Sequence, residues 1–187
     1  MRRILCIVCA SIVVTPAIVF AQPHAFGHTV RWDLVRIQQA TALAGGADVA
    51  RDAATGDTFT LTGSGDAEPA ERDAAGGGVI VHHFAATNVD STAVYVITGF
   101  IDWQPGGGEL AIGDGIGHAS EASAGVLKMA IRIFLPSGAV RDGVLTVNCH
   151  LPGATVDVDE GIELTITGTP FVDMKPSGGA TLFHVQK

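Results

Sequence analysis

Cysteine is scarce in this chain, which contains 3 Cys among 187 residues. Cys6 and Cys9 lie in an apolar N-terminal stretch, so Cys149 alone would remain if that stretch were removed. A single cysteine cannot form an internal disulfide, and the fold must therefore be stabilised by its hydrophobic core. We interpret Cys149 as a small, buried, hydrophobic side chain.

Aromatic and basic residues are scarce as well. The 8 Phe, 2 Trp and 1 Tyr are too few for the two aromatic girdles of an outer-membrane barrel. The chain has 11 Lys and Arg against 19 Asp and Glu, a formal charge of −8. Nucleic acid is therefore not expected as a partner, because its phosphates require a basic surface. An anionic membrane surface is disfavoured for the same reason.

The N-terminal segment has the three parts of a secretory signal peptide. Residues 1–3 are basic at two positions, residues 4–20 are mostly apolar, and Ala21 supplies the small residue before a cleavage site. This pattern predicts removal of residues 1–21, with Ala25 as an alternative mature N-terminus. Retention of the segment as a membrane anchor is the other interpretation. After cleavage the protein would be periplasmic or secreted, with no integral membrane span.

Residues 22–187 are long enough for one domain with a substantial core and too short for two. Nine basic residues would remain there against nineteen acidic ones, a formal charge of −10. A long amphipathic helix is missing, whereas short alternating runs are separated by Gly, Asp and Pro turns. This spacing predicts an all-β domain of about eight strands. A single antiparallel β-barrel is expected, because closure removes exposed edges, and a β-sandwich is the alternative.

The central predicted element is a long β-hairpin in residues 124–151, with a Pro-Ser-Gly turn at 136–138. Side chains alternate between the two faces of a strand. One face of the hairpin is therefore continuously apolar, and its members are Leu127, Met129, Ile131, Ile133, Leu135, Leu145, Val147, Cys149 and Leu151. The opposite face carries most of the polar side chains.

The rest of the chain divides into further strands and connections. Strands are predicted over residues 29–37, 58–63, 78–84, 92–103, 155–158, 161–168 and 181–185. Residues 64–75 are polar and predict an exposed loop, and residues 104–117 a glycine-rich connection. Gly99 within a predicted strand indicates a bulge. Residues 38–54 are compatible with either a short helix or a strand.

Seven histidines make histidine chemistry the first possibility to consider. For a general base in the mouth of a barrel, His150 is the first candidate, and His82 and His83 are the next. Because neighbouring strand residues point to opposite faces, His82 and His83 cannot bind the same ion. The same geometry separates Cys149 from His150, so these two cannot act as a nucleophile with its base.

A metal site is a further alternative. His118 and His184 are candidate ligands by residue type, although their spacing matches no known site. Asp157 and Asp159 resemble the opening of a calcium-binding loop. Gly168, however, stands where the twelfth position of such a loop requires a bidentate glutamate. No cofactor is expected.

Several short strings resemble a family of uncharacterised, small, exported bacterial β-rich proteins. They are TLTGSG (60–65), GGG (76–78), VITGFIDWQPG (96–106), VNCHLPG (147–153), EGI (160–162) and TLFHV (181–185). The resemblance covers most of the mature chain in order and implies a β-rich fold and export. It implies no activity and no role for any residue.

The sequence thus predicts an exported, non-catalytic β domain that binds a small molecule or another protein. The prediction depends on glycine-rich loops suited to the rim of a binding site and on the lack of any known catalytic motif. A small-molecule enzyme with a histidine general base is one alternative. A metal-binding exported protein is the other.

Overall fold

The computed structural model describes residues 28–186. The predicted signal peptide, residues 1–21, lies outside that range. No helix long and apolar enough to cross a membrane occurs among the described residues. They form an all-β fold, with a large antiparallel sheet and a small three-stranded one.

Thirteen strands occur between residues 28 and 186, more than the eight predicted. They are β1 (Thr29–Leu34), β2 (Arg36–Gln38), β3 (Thr41–Leu43), β4 (Asp48–Arg51), β5 (Thr58–Glu68), β6 (Asp73–Phe84), β7 (Val89–Gly107), β8 (Gly113–Asp114), β9 (Ala122–Phe134), β10 (Val140–Cys149), β11 (Gly161–Ile166), β12 (Lys175–Gly178) and β13 (Thr181–Gln186). The additional strands have two to four residues, too few for a clear alternating pattern.

The large sheet has ten strands. Its main path is β1-β13-β9-β7-β6-β5-β4-β12, and β10 pairs with both β9 and β11. Strand β1 pairs on one side with β13 and on the other with β5. The small sheet has the strand order β2-β3-β8 and contains one parallel pair, β3 with β8.

The predicted hairpin is confirmed as β9 and β10, paired antiparallel from Gly125 with Cys149 to Phe134 with Val140. Its apolar face forms the centre of the core. Leu127, Ile131, Leu145 and Val147 are each at most 1% exposed. Alternation therefore correctly identified these four side chains as buried. Their burial is a main source of stability, because Cys149, the single cysteine between residues 28 and 186, is free.

The prediction of an exposed loop over residues 64–75 is wrong. Strand β5 continues to Glu68 and β6 begins at Asp73, so only a short turn separates them. Ala67 and Ala74 are buried, and the residues on either side of each of them are exposed. The alternation is present, but its inward positions are Ala and Gly, which hydrophobicity patterns do not detect.

The glycines of this region make room for one large side chain. Gly65 and Gly76 are directly paired across β5 and β6. A Cβ atom at Gly65 would lie 2.9 Å from the Trp32 ring nitrogen, and one at Gly76 would lie 3.1 Å from Trp32 Cζ2. Trp32 is fully buried in β1, so the sheet can cover it only where these positions have no side chain.

Three other predictions have clear outcomes. Gly99 lies at a register shift between β7 and β9, which confirms the bulge. Residues 155–158 do not form a strand: Val156 is buried, but the segment lacks ladder pairing and only Thr155 bonds to the Gly106 carbonyl. Residues 38–54 contain two short strands and no helix.

Candidate functional site

A cavity of about 480 Å³ opens at the end of the sheet where the β6–β7 and β9–β10 turns lie. Apolar side chains make up most of its wall. It is lined by Phe59, Ile80, His82, Phe84, Ser91, Ala93, Ile133, Leu135, Pro136, Ser137, Arg141, Ile166, Thr169 and Phe171. This volume falls within the range of small-molecule sites in proteins.

Strand alternation and register bring these side chains together. Phe59 of β5 is paired with His82 of β6, and His82 is paired with Ser91 of β7. Directly paired residues share one face of the sheet, so the three side chains form a row across the cavity wall. The buried side chains of Ile80 in β6 and Ala93 in β7 lie on the same inward face of the sheet as this row.

His82 is held by a carboxylate. Its Nε2 lies 2.8 Å from Oδ2 of Asp57, and the other oxygen of Asp57 accepts a hydrogen bond from the Ala85 N–H at 3.0 Å. Burial alone would raise the pKa of the Asp57 carboxyl, but the bonds from His82 and Ala85 outweigh it and lower that pKa. An ionised Asp57 favours a proton on Nε2, which leaves Nδ1 as the free ring nitrogen.

Aromatic rings fix the orientation of His82. Its ring centroid lies 4.0 Å from that of Phe59, nearly parallel, and 3.7 Å from that of Phe84. Phe171 contacts the same ring edge-on at 5.0 Å. A histidine restrained in this way is a fixed, apolar-flanked part of the wall rather than a mobile surface group.

The prediction that His82 and His83 face opposite ways is confirmed. His83 lies on the outer surface, where Nδ1 is 2.7 Å from Asp90 and both side chains are exposed. His150, the first candidate for a general base, does not line this cavity; it lines a second, smaller cavity of about 160 Å³ together with Glu160. His150 directly follows the last residue of β10, at the end of the strand opposite to the larger cavity. Arg141 lines the larger cavity at the other end of β10, about 30 Å away along the strand.

The proposed metal ligands are not brought together. Within residues 28–186 there is no group of three or more His, Cys, Asp or Glu side chains arranged to hold a metal ion. His118, Asp157 and Asp159 are exposed in connecting segments. His184 is buried, and its Nε2 lies 2.9 Å from Oδ2 of Asp114. Cys149 is also buried, which raises its pKa to about 12 and makes it inert as a nucleophile.

The contact between His184 and Asp114 attaches the glycine-rich connection to the sheet. Asp114 also accepts hydrogen bonds from the N–H groups of Ile116 and Gly117, and Arg31 donates to the Ile116 carbonyl. Gly117 lies directly over the His184 ring, where a Cβ atom would collide with Nε2. These five contacts explain why a segment with many glycines is held in one place.

Replacing Asp114 with alanine is expected to release this segment without unfolding the sheet. The Ile116 and Gly117 amides would lose their acceptor, and His184 would lose its partner. Hydrogen exchange measured by mass spectrometry should be at least about tenfold faster in residues 113–118. The exposed Asp159→Ala variant is the control and should match the wild type. Unchanged exchange in D114A would contradict this role.

Sequence reasoning missed the carboxylate beside the cavity and one of the lining residues. Asp57 directly precedes β5, and no local pattern indicates its role, because its partner His82 is 25 residues away. Arg141 was missed because the apolar face predicted for the second strand of the hairpin begins at Leu145, whereas β10 begins at Val140. Extending the alternation of Leu145 and Val147 backwards would have placed Arg141 on the inward face.

Comparison with protein-family models, with curated proteins and with solved structures gives no match for this chain. The cavity and its lining are therefore the basis for inferring function.

Proposed function

We propose that the protein is a non-catalytic binding protein that holds a small apolar molecule in the cavity at the end of the sheet. The cavity itself is the observation that supports this function. Its wall contains three phenylalanines and four branched aliphatic side chains, and its one histidine is already paired with Asp57. A site of this volume and polarity gains binding free energy mainly by removing apolar surface from water.

The large sheet is best interpreted as a closed barrel, with a sandwich as the alternative. The pairing of β1 with both β13 and β5 supports closure, because it joins the two ends of the path β13-β9-β7-β6-β5. The cavity would then be the mouth of the barrel, a common location for ligands in small β-barrels.

We further propose that the protein acts in the periplasm or outside the cell. The signal-peptide pattern of residues 1–21 and the resemblance to exported β-rich proteins support this location. Expression of the full chain in a Gram-negative host, followed by intact mass measurement of the exported product, should give a chain that starts at Gln22. A cytoplasmic product of full length would contradict export.

Binding can be tested with the neutral fluorescent probe 1-aminoanthracene. We expect saturable binding with a dissociation constant in the micromolar range. Ser91→Trp places a large side chain into the cavity and should weaken binding at least about tenfold. Thr92→Trp is the matched control, because Thr92 is the next residue of β7 and faces outward. No probe binding by the wild type, or equal binding by S91W, would contradict the proposal.

A small-molecule enzyme is the second candidate function, and the Asp57–His82 pair is the observation that favours it. A carboxylate that orients a histidine beside a cavity is a common arrangement for a general base. Against it, no Ser, Thr or Cys side chain in residues 28–186 bonds to His82. The enzyme would therefore have to activate water or a group of the substrate.

Hydrolysis of p-nitrophenyl butyrate separates the two candidates. For a binding protein we expect the wild type, His82→Gln and His83→Gln to give equal, background rates. A wild-type rate about 100-fold above that of H82Q, retained in H83Q, would instead assign catalysis to His82. H83Q is the appropriate control, because His83 is the next residue of β6 after His82 and its side chain lies on the outer surface.

A further inference from the structure

Arg141 occupies an unusual position for a charged residue. Alternation along β10 places it on the same face as Leu145 and Val147, whose side chains are buried. It is paired across the hairpin with Ile133, which is buried and also lines the cavity. Arg141 itself is exposed, because β10 begins at the open end of the cavity. Its side chain therefore lies at the cavity mouth.

The guanidinium of Arg141 is not neutralised by the protein. One of its nitrogens, Nη1, donates to the neighbouring Val140 carbonyl at 3.0 Å. No carboxylate in residues 28–186 lies within ion-pair distance of it. Arg132, on the outer face of β9, is different: its Nε lies 2.8 Å from Oδ1 of Asp142. Most of the donors of Arg141 are therefore available to a ligand.

The rest of the lining contains no competing anion. Among the lining residues the only other ionisable side chain is His82. The nearby Asp57 carboxylate is already bonded to His82 and to the Ala85 N–H. The cavity thus combines an apolar interior with one available cation at its entrance.

We propose that the ligand is an amphipathic carboxylate, such as a medium-chain fatty acid, bound with its apolar body inside and its carboxylate on Arg141. This inference rests on the proposed binding function. Arginine is suited to the role, because its planar fork can bind both oxygens of a carboxylate. The formal charge of the chain is −8, so the long-range field repels anions. Affinity for a carboxylate must therefore come from direct contact with Arg141.

The test compares decanoate with decanol as competitors of 1-aminoanthracene at pH 7.5, where decanoate is ionised. The two molecules share the same alkyl chain and differ at the head group. We expect the wild type to bind decanoate at least about tenfold more tightly than decanol. Arg141→Gln should abolish that preference and leave decanol binding unchanged. Arg132→Gln, which removes a cation from the outer face, should behave as the wild type.

The outcomes distinguish this inference from the function on which it rests. Binding of the probe with equal affinity for decanoate and decanol in the wild type would overturn the carboxylate proposal and leave the cavity function intact. Unchanged decanoate affinity in R141Q would also overturn it. If the wild type binds neither the probe nor either competitor, both proposals fail. The wild-type comparison needs no substitution, so it holds even if R141Q is unstable.

Discussion

Replacing Asp48 with asparagine is expected to stabilise the protein at pH 8 and to remove much of its pH dependence. Asp48 is fully buried at the start of β4. Its Oδ1 accepts a hydrogen bond from the Ala180 N–H at 2.8 Å, whereas Oδ2 is buried without a partner in the described part of the chain. Burial raises the pKa of this carboxyl to about 7, and the negative charge of Glu160 adds to the effect.

The direction of the pH effect follows from the two protonation equilibria. Asp48 is protonated in both the folded and the unfolded chain below about pH 4. Between pH 4 and pH 7 the unfolded chain releases this proton while the folded protein retains it, so the free energy of unfolding decreases across this window. Above pH 7 the loss is complete. A pKa shift from 3.8 to about 7 corresponds to at most about 4 kcal/mol.

Urea unfolding of the wild type and D48N between pH 5 and pH 8.5 measures this effect. An asparagine keeps the acceptor for Ala180 and has no charge to desolvate, so D48N should gain about 1–3 kcal/mol at pH 8. Asp33 and Glu160 also have raised pKa values, but they are present in both proteins. The exposed Asp159→Asn variant controls for net charge. A parallel pH profile for D48N and the wild type would show that Asp48 is not the titrating group.

Replacing Gly76 with alanine is expected to destabilise the protein by about 3 kcal/mol or more, from backbone strain and steric overlap together. Gly76 has a φ of +134°, which residues with a side chain rarely adopt. An added Cβ would collide with the Ser64 carbonyl oxygen and lie 2.8 Å from Gly65 Cα. These atoms belong to the paired backbone of β5, which cannot move without breaking the ladder.

Gly99→Ala provides the matched control, because Gly99 also lies within a strand but has no heavy atom within 4 Å of an added Cβ. We expect G99A to change the free energy of unfolding by less than about 1 kcal/mol. Thermal and urea unfolding of both variants measure the difference. If G76A is as stable as G99A, the close packing of β5, β6 and Trp32 is not required for the fold.

The strand pairs β9–β10 and β5–β6 differ in how well the sequence predicts them. The β9–β10 hairpin was identified from sequence because its inward positions are large aliphatic residues. The extension of β5 and β6 was not, because its inward positions are glycine and alanine. Gly65 and Gly76 are required by the backbone of the paired strand and by Trp32, which belongs to β1, more than 30 residues earlier in the chain.

In the candidate site, too, sequence alternation predicts one feature and misses another. Alternation correctly separated His82 from His83, but it did not favour His82 over His150. That choice depends on Asp57, which lies next to His82 only after β5 and β6 have paired in the observed register. No local spacing encodes such a contact.

The sequence by itself determined the β class, the presence of a single cysteine in residues 28–186 and the buried face of the central hairpin, because these depend on composition and on a two-residue period. Only the tertiary structure decided where the cavity lies and which side chains line it. Asp57, His82, Arg141 and Phe171 come from separate segments, and the pairing of distant strands brings them to one end of the sheet. Pairing of distant strands reflects the packing of the whole core, which a local pattern does not contain.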